Sequence, residues 1–414
     1  MRRSSTLLTR LAGAAAGVVL AAAAVLTAAP PAQAATLTQV TGFGSNPGNL
    51  AMYAYRPDGL AANAPAVVLL HGCVQNAAGY FANSGWQKYA DLWKFTLIVP
   101  QQPSANNANS CFNWFETGDT ARGQGEALSI KQMVDHARTT YGTDPSRVYV
   151  SGLSGGGAMS AAMLATYPDV FAAGSVIAGV PYRCATSMTN AFTCMNPGVD
   201  RTPAQWGDLV RAAYSGYSGR RPRVAIWHGT SDTTVAPSNA TESRDQWTDV
   251  LGVAATPTST STLPAGTSLE VYGADQVRLY RVSGMGHGTP VDPGSGIDQC
   301  GSAAAYFLDT ICSTYRDALF FGLGGGATPS PTATPTASPS PTASPTPTAT
   351  ASPSPTAAPV CVTASNYAHV TAGRAYQSGG YAYALGSNQR MGLYNTFYTS
   401  TLKQTGPGYW VIGC

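Results

Sequence analysis

The sequence has few charged residues. Lys, Arg, Asp and Glu together make up only 10% of the 414 residues, and the formal net charge is +3. So small an excess of positive charge produces only a weak electrostatic field, and we expect no nucleic-acid partner. The low content of charged residues also excludes an acidic, solvating chain. The eight cysteines include no Cys-x-x-Cys pair, the common spacing of zinc sites. We therefore expect no metal and no other cofactor.

A long apolar run is also missing beyond the N-terminus. Residues 1–34 begin with basic Arg2, Arg3 and Arg10, continue with an Ala/Val/Leu run, and end in Ala-Gln-Ala at 32–34. This order is typical of a cleaved signal peptide. A membrane anchor is the alternative, but the small-residue cleavage pattern and the lack of a second apolar span argue against it. We expect a secreted, extracellular protein with no membrane contact after cleavage, and the export route stays open.

The cysteines indicate disulfides. All eight follow the predicted signal peptide, and an even number in an exported chain favours pairing. The sequence alone does not determine the connectivity. Short local spacing suggests Cys184–Cys194 and Cys300–Cys312. Cys361 and Cys414 stand at the two ends of the last segment, which suggests that they pair, and Cys73–Cys111 is the pair that remains. Closing the loop from Cys361 to Cys414 would contribute roughly 4 kcal/mol in the chain-entropy model.

The most informative segment is 147–159. An alternating β-branched and aromatic run reaches Gly152, and Ser154 is followed by three glycines and a small-residue helix pattern. This predicts a strand, a sharp turn and a helix, with G-x-S-x-G at the turn because larger neighbours would collide there. Such a turn exposes the Ser154 hydroxyl and leaves the Gly155 N–H free to bind an oxyanion. The alternative is a glycine-rich turn with a passenger serine, which the flanking strand and helix disfavour.

A second strand pattern lies earlier in the chain and ends in a short polar loop. Residues 65–73 are a short apolar run that ends in His71, Gly72 and Cys73, which is typical of a strand buried in a parallel sheet. In α/β-hydrolases the loop after this strand provides the second oxyanion N–H, which we assign to Cys73. We interpret His71 as a core residue that shapes this loop and not as the catalytic base.

Two later strands each run into a polar turn. The run 223–235 ends in a turn that carries Asp232, and the run 277–288 ends in a glycine-rich loop that carries His287. An Asx-turn aspartate is the alternative for Asp232. The order Ser154, Asp232, His287 is the chain order of the α/β-hydrolases. Roughly 290 residues before the linker suffice for one α/β core, and we predict a doubly wound, mostly parallel sheet.

The last fifth of the chain has a different composition. Thr, Pro, Ser and Ala repeat from Ala327 to Pro359, which predicts a semi-rigid spacer. Residues 361–414 contain no Asp or Glu and many aromatic residues, which predicts a small, disulfide-closed, all-β domain. So many rings suggest an exposed adhesive face, although for any single ring a core position is favoured. A tethered aromatic module is typical of enzymes that attack insoluble polymers.

These patterns predict four segments. They are a signal peptide at 1–34, a catalytic domain at 35–323, a Thr/Pro/Ser-rich linker at 324–360 and a substrate-binding domain at 361–414.

Several motifs resemble one known family. They lie at 71–76, 111–115, 122–126, 152–159, 167–171 and 228–235. Through them, residues from about Tyr53 to Cys312 resemble the extracellular poly(3-hydroxybutyrate) depolymerases, a family of α/β-hydrolases that overlaps with secreted feruloyl and acetylxylan esterases. The tail, through 364–370 and 386–389, is similar to the C-terminal substrate-binding domain of such depolymerases.

The resemblance implies a secreted serine esterase. It would hydrolyse poly(3-hydroxybutyrate) to short oligomers and monomer through an acyl-enzyme, with an insoluble polyester surface as its partner and a monomer as the default state. Ser154, Asp232 and His287 carry over as the triad, and Cys73 and Gly155 as the oxyanion amides. Gly155 departs from relatives that often have Ala or Ser there, but only its N–H is needed.

Trp114 is the candidate for polymer contact. Two alternatives stay open. One is a feruloyl or acetylxylan esterase whose tail binds polysaccharide, and the other is a non-catalytic surface-adhesion protein.

Overall fold

The structure is a computed structural model that describes residues 35–324, 361–378, 381–396, 398–406 and 409–414. The predicted signal peptide and the predicted linker, except Gly324, lie outside these residues. The chain divides into two compact units, Met1–Ser330 and Pro331–Cys414, and each is considered by itself. In the described part of the chain, no helix has the length and apolar character needed to cross a membrane.

The first unit alternates strands and helices. Its strands are β1 (Thr38–Val40), β2 (Ala51–Tyr55), β3 (Ala66–Leu70), β4 (Thr96–Gln101), β5 (Val148–Leu153), β6 (Ala173–Ile177), β7 (Arg223–Gly229), β8 (Ser259–Leu263), β9 (Thr267–Tyr272), β10 (Val277–Val282), β11 (Thr289–Val291) and β12 (Phe307–Asp309). Its helices are α1 (Ala77–Asn83), α2 (Trp86–Trp93), α3 (Gly125–Tyr141), α4 (Gly155–Thr166), α5 (Met188–Met195), α6 (Pro203–Ala213), α7 (Ser238–Leu251) and α8 (Ser313–Phe321).

Ten of these strands form one sheet in the order β1-β2-β4-β3-β5-β6-β7-β10-β9-β8. The pairs from β4 through β10 are parallel, and the outer pairs at both edges are antiparallel. The short strands β11 and β12 pair separately. The prediction of a mostly parallel sheet is therefore confirmed.

Helices cover both faces of the sheet. Strands β3, β5 and β6 are buried at every residue, as expected for apolar runs in a parallel sheet. On one face, Val68 and Val150 belong to a core with α3 and α4, and on the other, Val67 and Leu69 belong to a core with α1, α2 and α8. This two-sided packing is the doubly wound arrangement, so the predicted fold class is confirmed.

The parallel order determines where the polar loops meet. Strands β3, β5, β7 and β10 end at Leu70, Leu153, Gly229 and Val282, and all four point the same way. The loops that follow them consequently emerge at one edge of the sheet. In open α/β sheets this edge is where ligands bind.

All four predicted disulfides are confirmed. They join Cys73 to Cys111, Cys184 to Cys194, Cys300 to Cys312 and Cys361 to Cys414. The first ties the loop after β3 to the loop after β4. The second closes the segment that contains α5, and the third closes the segment that contains β12.

The described residues of the second unit form two small sheets and one helix. Its elements are β13 (Cys361–Ser365), α9 (Asn366–Thr371), β14 (Ala375–Ser378), β15 (Tyr381–Ala384), β16 (Arg390–Leu393), β17 (Thr399–Gly406) and β18 (Tyr409–Ile412). The sheets have the orders β13-β17-β18 and β14-β15-β16, in agreement with the predicted β structure. The sequence did not predict the short helix α9, which begins where the Ser365 hydroxyl accepts a hydrogen bond from the Ala368 N–H.

Most aromatic rings of this unit stay in contact with solvent. Trp410 packs in a small core with Leu402, Met391 and three alanines. Tyr367, Tyr376, Tyr398 and Tyr409 are exposed. The sequence favoured a core position for any single ring of the tail. Among the described rings, this prediction is confirmed for Trp410 and is wrong for these four tyrosines.

Candidate active site

Ser154 lies in a strained turn between β5 and α4. Its φ is 55° and its ψ is −117°, a conformation that residues other than glycine rarely adopt. A side chain at Gly152 would collide with the carbonyl of Gly156, and one at Gly156 would collide with the carbonyl of Leu70. The glycines therefore allow the strand and the helix to approach closely enough for this turn. The steric reason predicted from the motif holds in the structure.

The structure brings Ser154, His287 and Asp232 together. The Ser154 Oγ lies 2.8 Å from His287 Nε2, and His287 Nδ1 lies 2.7 Å from Asp232 Oδ2. A carboxylate only accepts hydrogen bonds, so Nδ1 carries the proton and Nε2 accepts from the serine hydroxyl. These residues are separated by 133 and 55 positions in the sequence, and they meet because β5, β7 and β10 end at the same edge.

Asp232 makes both of the contacts that the sequence treated as alternatives. Its Oδ1 accepts hydrogen bonds of 2.9 Å from the N–H groups of Thr234 and Val235, which is an Asx-type turn. Its Oδ2 accepts from His287. The turn thus fixes the carboxylate plane and leaves the second oxygen for the imidazole.

Asp232 is held in its ionised form. Burial alone would raise its pKa, but the hydrogen bond and charge of His287, with smaller contributions from the Val235 N–H and His228, lower the pKa overall. An ionised carboxylate at this position holds the tautomer of His287 and stabilises an imidazolium when one forms.

His228 contacts the same turn, at Val235 and Asp232. Its Nε2 lies 2.9 Å from the Val235 carbonyl and 3.5 Å from Asp232 Oδ2. Burial is the main cause of its lowered pKa, which favours the neutral imidazole. The structure thus places His228 in contact with the loop that carries Asp232.

His71 has the core position predicted for it. Its Nδ1 lies 2.8 Å from the Gly72 carbonyl, and its Nε2 accepts a hydrogen bond of 3.1 Å from the Gln102 N–H. Burial lowers the pKa of His71 to about 4, so the ring is neutral. Both ring nitrogens are occupied by the backbone, and no described contact joins His71 to Ser154.

Cys73 and Gly155 are neighbours in space. A methyl group placed on Gly155 would lie 3.1 Å from Cys73 Sγ. Gly155 is the first residue of α4, where helical N–H groups have no acceptor within the helix. Val74, the residue after Cys73, has a φ of 58°, and its N–H donates to the Asn109 carbonyl at 2.7 Å. The two residues predicted to form the oxyanion site therefore lie side by side, next to Ser154.

A pocket of about 380 Å³ opens at Ser154 and His287. Its walls are mainly apolar, and they include Trp114, Phe115, Met188, Phe192 and Tyr306. Trp114, the residue predicted to contact substrate, is nearly buried and lines this pocket. The pocket suits an apolar chain of ester units better than a strongly hydrated ligand.

Sequence reasoning missed the three exposed residues of this wall. Phe192 is 64% exposed, Met188 is 47% exposed and Tyr306 is 41% exposed. Met188 and Phe192 are four positions apart on α5, and apolar residues at that spacing within a disulfide-closed segment were an available signal. Tyr306 has a φ of 64°, and its ring stands edge-on to the His287 ring at 6.3 Å.

Known proteins share this catalytic unit. Residues 50–269 match the sequence profile of the esterase PHB depolymerase family. The chain is 58% identical over 294 residues to poly(3-hydroxyalkanoate) depolymerase C of Paucimonas lemoignei, and this match covers 70% of each protein. It is also 40% identical over 267 residues to feruloyl esterase B of Thermothelomyces thermophilus, which covers 63% of this chain and 90% of the relative.

A solved structure gives the same likeness in three dimensions. The acetyl xylan esterase from Aspergillus awamori superposes with a TM-score of 0.61 at 33% sequence identity, and the match covers 70% of this chain and 99% of that one. The likeness therefore extends over the whole hydrolase fold of that esterase.

Proposed function

Since the chain belongs to the esterase PHB depolymerase family, we propose that it hydrolyses the ester bonds of a poly(3-hydroxyalkanoate), with poly(3-hydroxybutyrate) as the expected polymer. The chain is a carboxylic ester hydrolase. The observation that carries the proposal is the hydrogen-bonded series Ser154, His287 and Asp232 at an apolar pocket. The identity to a poly(3-hydroxyalkanoate) depolymerase supports the choice of polymer.

The first half of the reaction forms an acyl-enzyme. The Ser154 oxygen attacks the ester carbonyl while His287 Nε2 takes the hydroxyl proton, and Asp232 stabilises the resulting imidazolium. The tetrahedral intermediate then collapses. The ester C–O bond breaks, and His287 returns its proton to the oxygen of the departing polymer chain, which leaves with a hydroxyl end.

Main-chain donors stabilise the charge that develops on the carbonyl oxygen. The N–H groups of Cys73 and Gly155 are assigned to this task, and each is worth roughly 3–4 kcal/mol of the barrier. In the second half, His287 removes a proton from water, the water oxygen attacks the acyl carbon, and Ser154 leaves with the proton. The products are short hydroxyacid oligomers and monomer.

The walls of the pocket suit a chain of methyl-bearing ester units. Trp114 and Phe115 lie at the inner wall, and Phe192 and Tyr306 stand at the exposed mouth. Apolar contact with the polymer replaces hydrating water, which strengthens the hydrogen bonds at the reacting carbonyl.

The second unit is proposed to bind the solid polymer. Several of its tyrosines, together with Leu385, Leu393 and Ile412, are exposed, and residues 361–414 contain no acidic residue. A linker at 324–360 would hold the catalytic domain, 35–323, close to the surface on which 361–414 is adsorbed. A signal peptide at 1–34 would direct a monomeric protein out of the cell, where four disulfides are stable.

The test compares the wild type with Ser154→Ala on three substrates. We expect the wild type to clear an opaque poly(3-hydroxybutyrate) suspension faster than it releases ferulate or acetate from plant cell-wall substrates, and Ser154→Ala to lose clearing. Adsorption to a polymer film should be equal for both proteins. Preferential release of ferulate or acetate would favour a cell-wall esterase, which the feruloyl esterase relative supports. A wild type that a serine-directed phosphonate fails to label would indicate a non-catalytic adhesion protein.

A further inference from the structure

Glu126 is a buried carboxylate that the reaction above does not use. It lies in the first turn of α3, and its exposed fraction is 0%. Glutamate is rarely fully buried unless its oxygens have partners. Here Oε1 accepts a hydrogen bond from the Gln102 side-chain amide, and Oε2 accepts one of 2.9 Å from the Asn113 N–H.

These two donors lie at the two ends of one loop. Gln102 follows β4 directly, and Asn113 precedes the pocket residue Trp114. The Gln102 amide also donates to the Cys111 carbonyl at 2.9 Å, and its carbonyl accepts from the Asn106 side chain at 2.8 Å. Glu126 therefore fastens the loop 102–113 at its beginning and at its end.

The same loop holds the segment assigned to the oxyanion. The Asn109 carbonyl accepts from the Val74 N–H, and Cys111 is joined to Cys73 by a disulfide. The Gln102 N–H also donates to His71, two residues before Cys73. Three links thus run from this loop to residues 71–74. Since Val74 has a positive φ that a β-branched residue avoids, the segment depends on such links to keep its conformation.

The groups around Glu126 are almost entirely amides. In the described chain it forms no ion pair. The ionisable side chain nearest in its network is Asp119, whose Oδ1 accepts from the Glu126 N–H at 3.1 Å. His71 is connected only through Gln102. The contacts of Glu126 are hence directional hydrogen bonds, and its role is to fix geometry.

We propose that Glu126 is a positioning residue for the ester hydrolysis proposed above, and that it holds the loop 102–113 so that the Cys73 N–H points at the oxyanion. This inference rests on the proposed function. A carboxylate is required because two donors face it and both of its oxygens must accept. A glutamine at 126 offers one acceptor and turns an NH₂ group toward the other donor.

The test uses Glu126→Gln and Glu126→Asp, with Glu116→Gln as the control. Glu116 is an exposed glutamate of the same connecting segment. With a soluble p-nitrophenyl butyrate substrate, we expect kcat to fall about 10-fold in both 126 variants, because a displaced oxyanion donor loses part of its stabilisation of the transition state. KM should stay within about two-fold, since ground-state binding does not use that donor. Glu116→Gln should match the wild type.

Phosphonate labelling of Ser154 gives a second readout. Its rate should fall by about the same factor in the 126 variants, because phosphonylation passes through a charged oxygen at the same place. Assays are made at a temperature where each variant is folded, and Glu126→Asp carries the test if Glu126→Gln does not fold. A kcat equal to the wild type in a folded variant, or a change in KM alone, would overturn the inference. A wild type that neither hydrolyses the ester nor becomes labelled would instead contradict the proposed function.

Discussion

The backbone of Ser154 is strained in order to place its hydroxyl. A positive φ in a residue other than glycine costs on the order of 1–3 kcal/mol. The surrounding structure tolerates this cost because every residue of α4 is buried, so the helix cannot move away from β5 without losing its packing. The packing of α4 in the core thus maintains the strained backbone conformation of Ser154.

The first prediction compares Ser154→Gly with Ser154→Ala. Both variants should be inactive on esters. Glycine accepts a φ of 55° without strain, whereas alanine keeps it, so we expect Ser154→Gly to be about 1 kcal/mol more stable than Ser154→Ala. Urea unfolding monitored by tryptophan fluorescence measures the difference. Equal stability of the two variants, or a less stable glycine variant, would show that the turn carries no strain.

A second residue-scale prediction concerns pH. Asp317 on α8 is fully buried, and its Oδ1 accepts a hydrogen bond of 2.8 Å from the Trp227 indole. Burial raises the pKa of Asp317 to about 7. The folded state thus retains a proton that the unfolded state releases above its ordinary pKa near 3.8. The contribution to stability is complete at low pH and is lost as the pH rises through about 7.

We therefore expect the free energy of unfolding to fall between about pH 4 and pH 7, by an amount on the order of a few kcal/mol from this group. Asp317→Asn carries no charge at any pH and should flatten that part of the profile, as measured by urea unfolding at several pH values. A slope unchanged in Asp317→Asn would rule out this assignment.

At the residue scale, the sequence predicted what lies at strand ends and missed what depends on burial. Ser154, Asp232 and His287 each follow a recognisable strand, so their meeting could be predicted from chain order. The partners of Glu126 are 24 and 13 positions away in a loop without periodic pattern. Nothing local marks Glu126 as buried, so its network could only come from the folded loop.

Among the elements, helix α5 is the one that forms an exposed wall of the pocket. Its Ser187 cap accepts a hydrogen bond from the Asn190 N–H, and Cys194 near its other end is bonded to Cys184. The helix is thus held at both ends. Its outer face carries Met188 and Phe192, which remain largely exposed at the mouth.

We predict that Phe192→Ser separates solid from soluble substrates. A flat polymer surface meets the exposed ring, whereas a small ester reaches Ser154 without it. Clearing of a polymer suspension should therefore fall several-fold, while hydrolysis of p-nitrophenyl butyrate stays within about two-fold. Leu92→Ser is the matched control, because Leu92 is 49% exposed on α2 and does not line the pocket. Equal losses in the two variants would mean that general surface hydrophobicity accounts for the effect.

The long, periodic elements were predictable and the short ones were not. The apolar run at 65–73 is observed as β3, and the strand patterns that precede Ser154, Asp232 and His287 are observed as β5, β7 and β10. Helices α5 and α9 have eight and six residues. Their formation depends on a capping serine and on neighbouring packing, since helices this short are marginal alone.

For the whole molecule, the separation into two units predicts separable activities. A chain that ends at Gly324 should hydrolyse p-nitrophenyl butyrate at the rate of the full-length protein, because every residue of the site lies within 71–306. Its binding to poly(3-hydroxybutyrate) granules should be strongly reduced, as measured by depletion from the supernatant. Residues 361–414 alone should bind the granules and not xylan. Binding to xylan only would favour the cell-wall esterase alternative.

Each of the three disulfides of the first unit closes a segment that lines the pocket at Ser154. Cys73–Cys111 fixes the segment proposed to bind the oxyanion, Cys184–Cys194 fixes α5 with Phe192, and Cys300–Cys312 encloses Tyr306. None of them crosses the buried strands of the sheet. The sheet and its nucleophile can therefore form while the thiols are still reduced, and the segments around the pocket take their final shape once the bonds close. We expect full activity to require an oxidising medium.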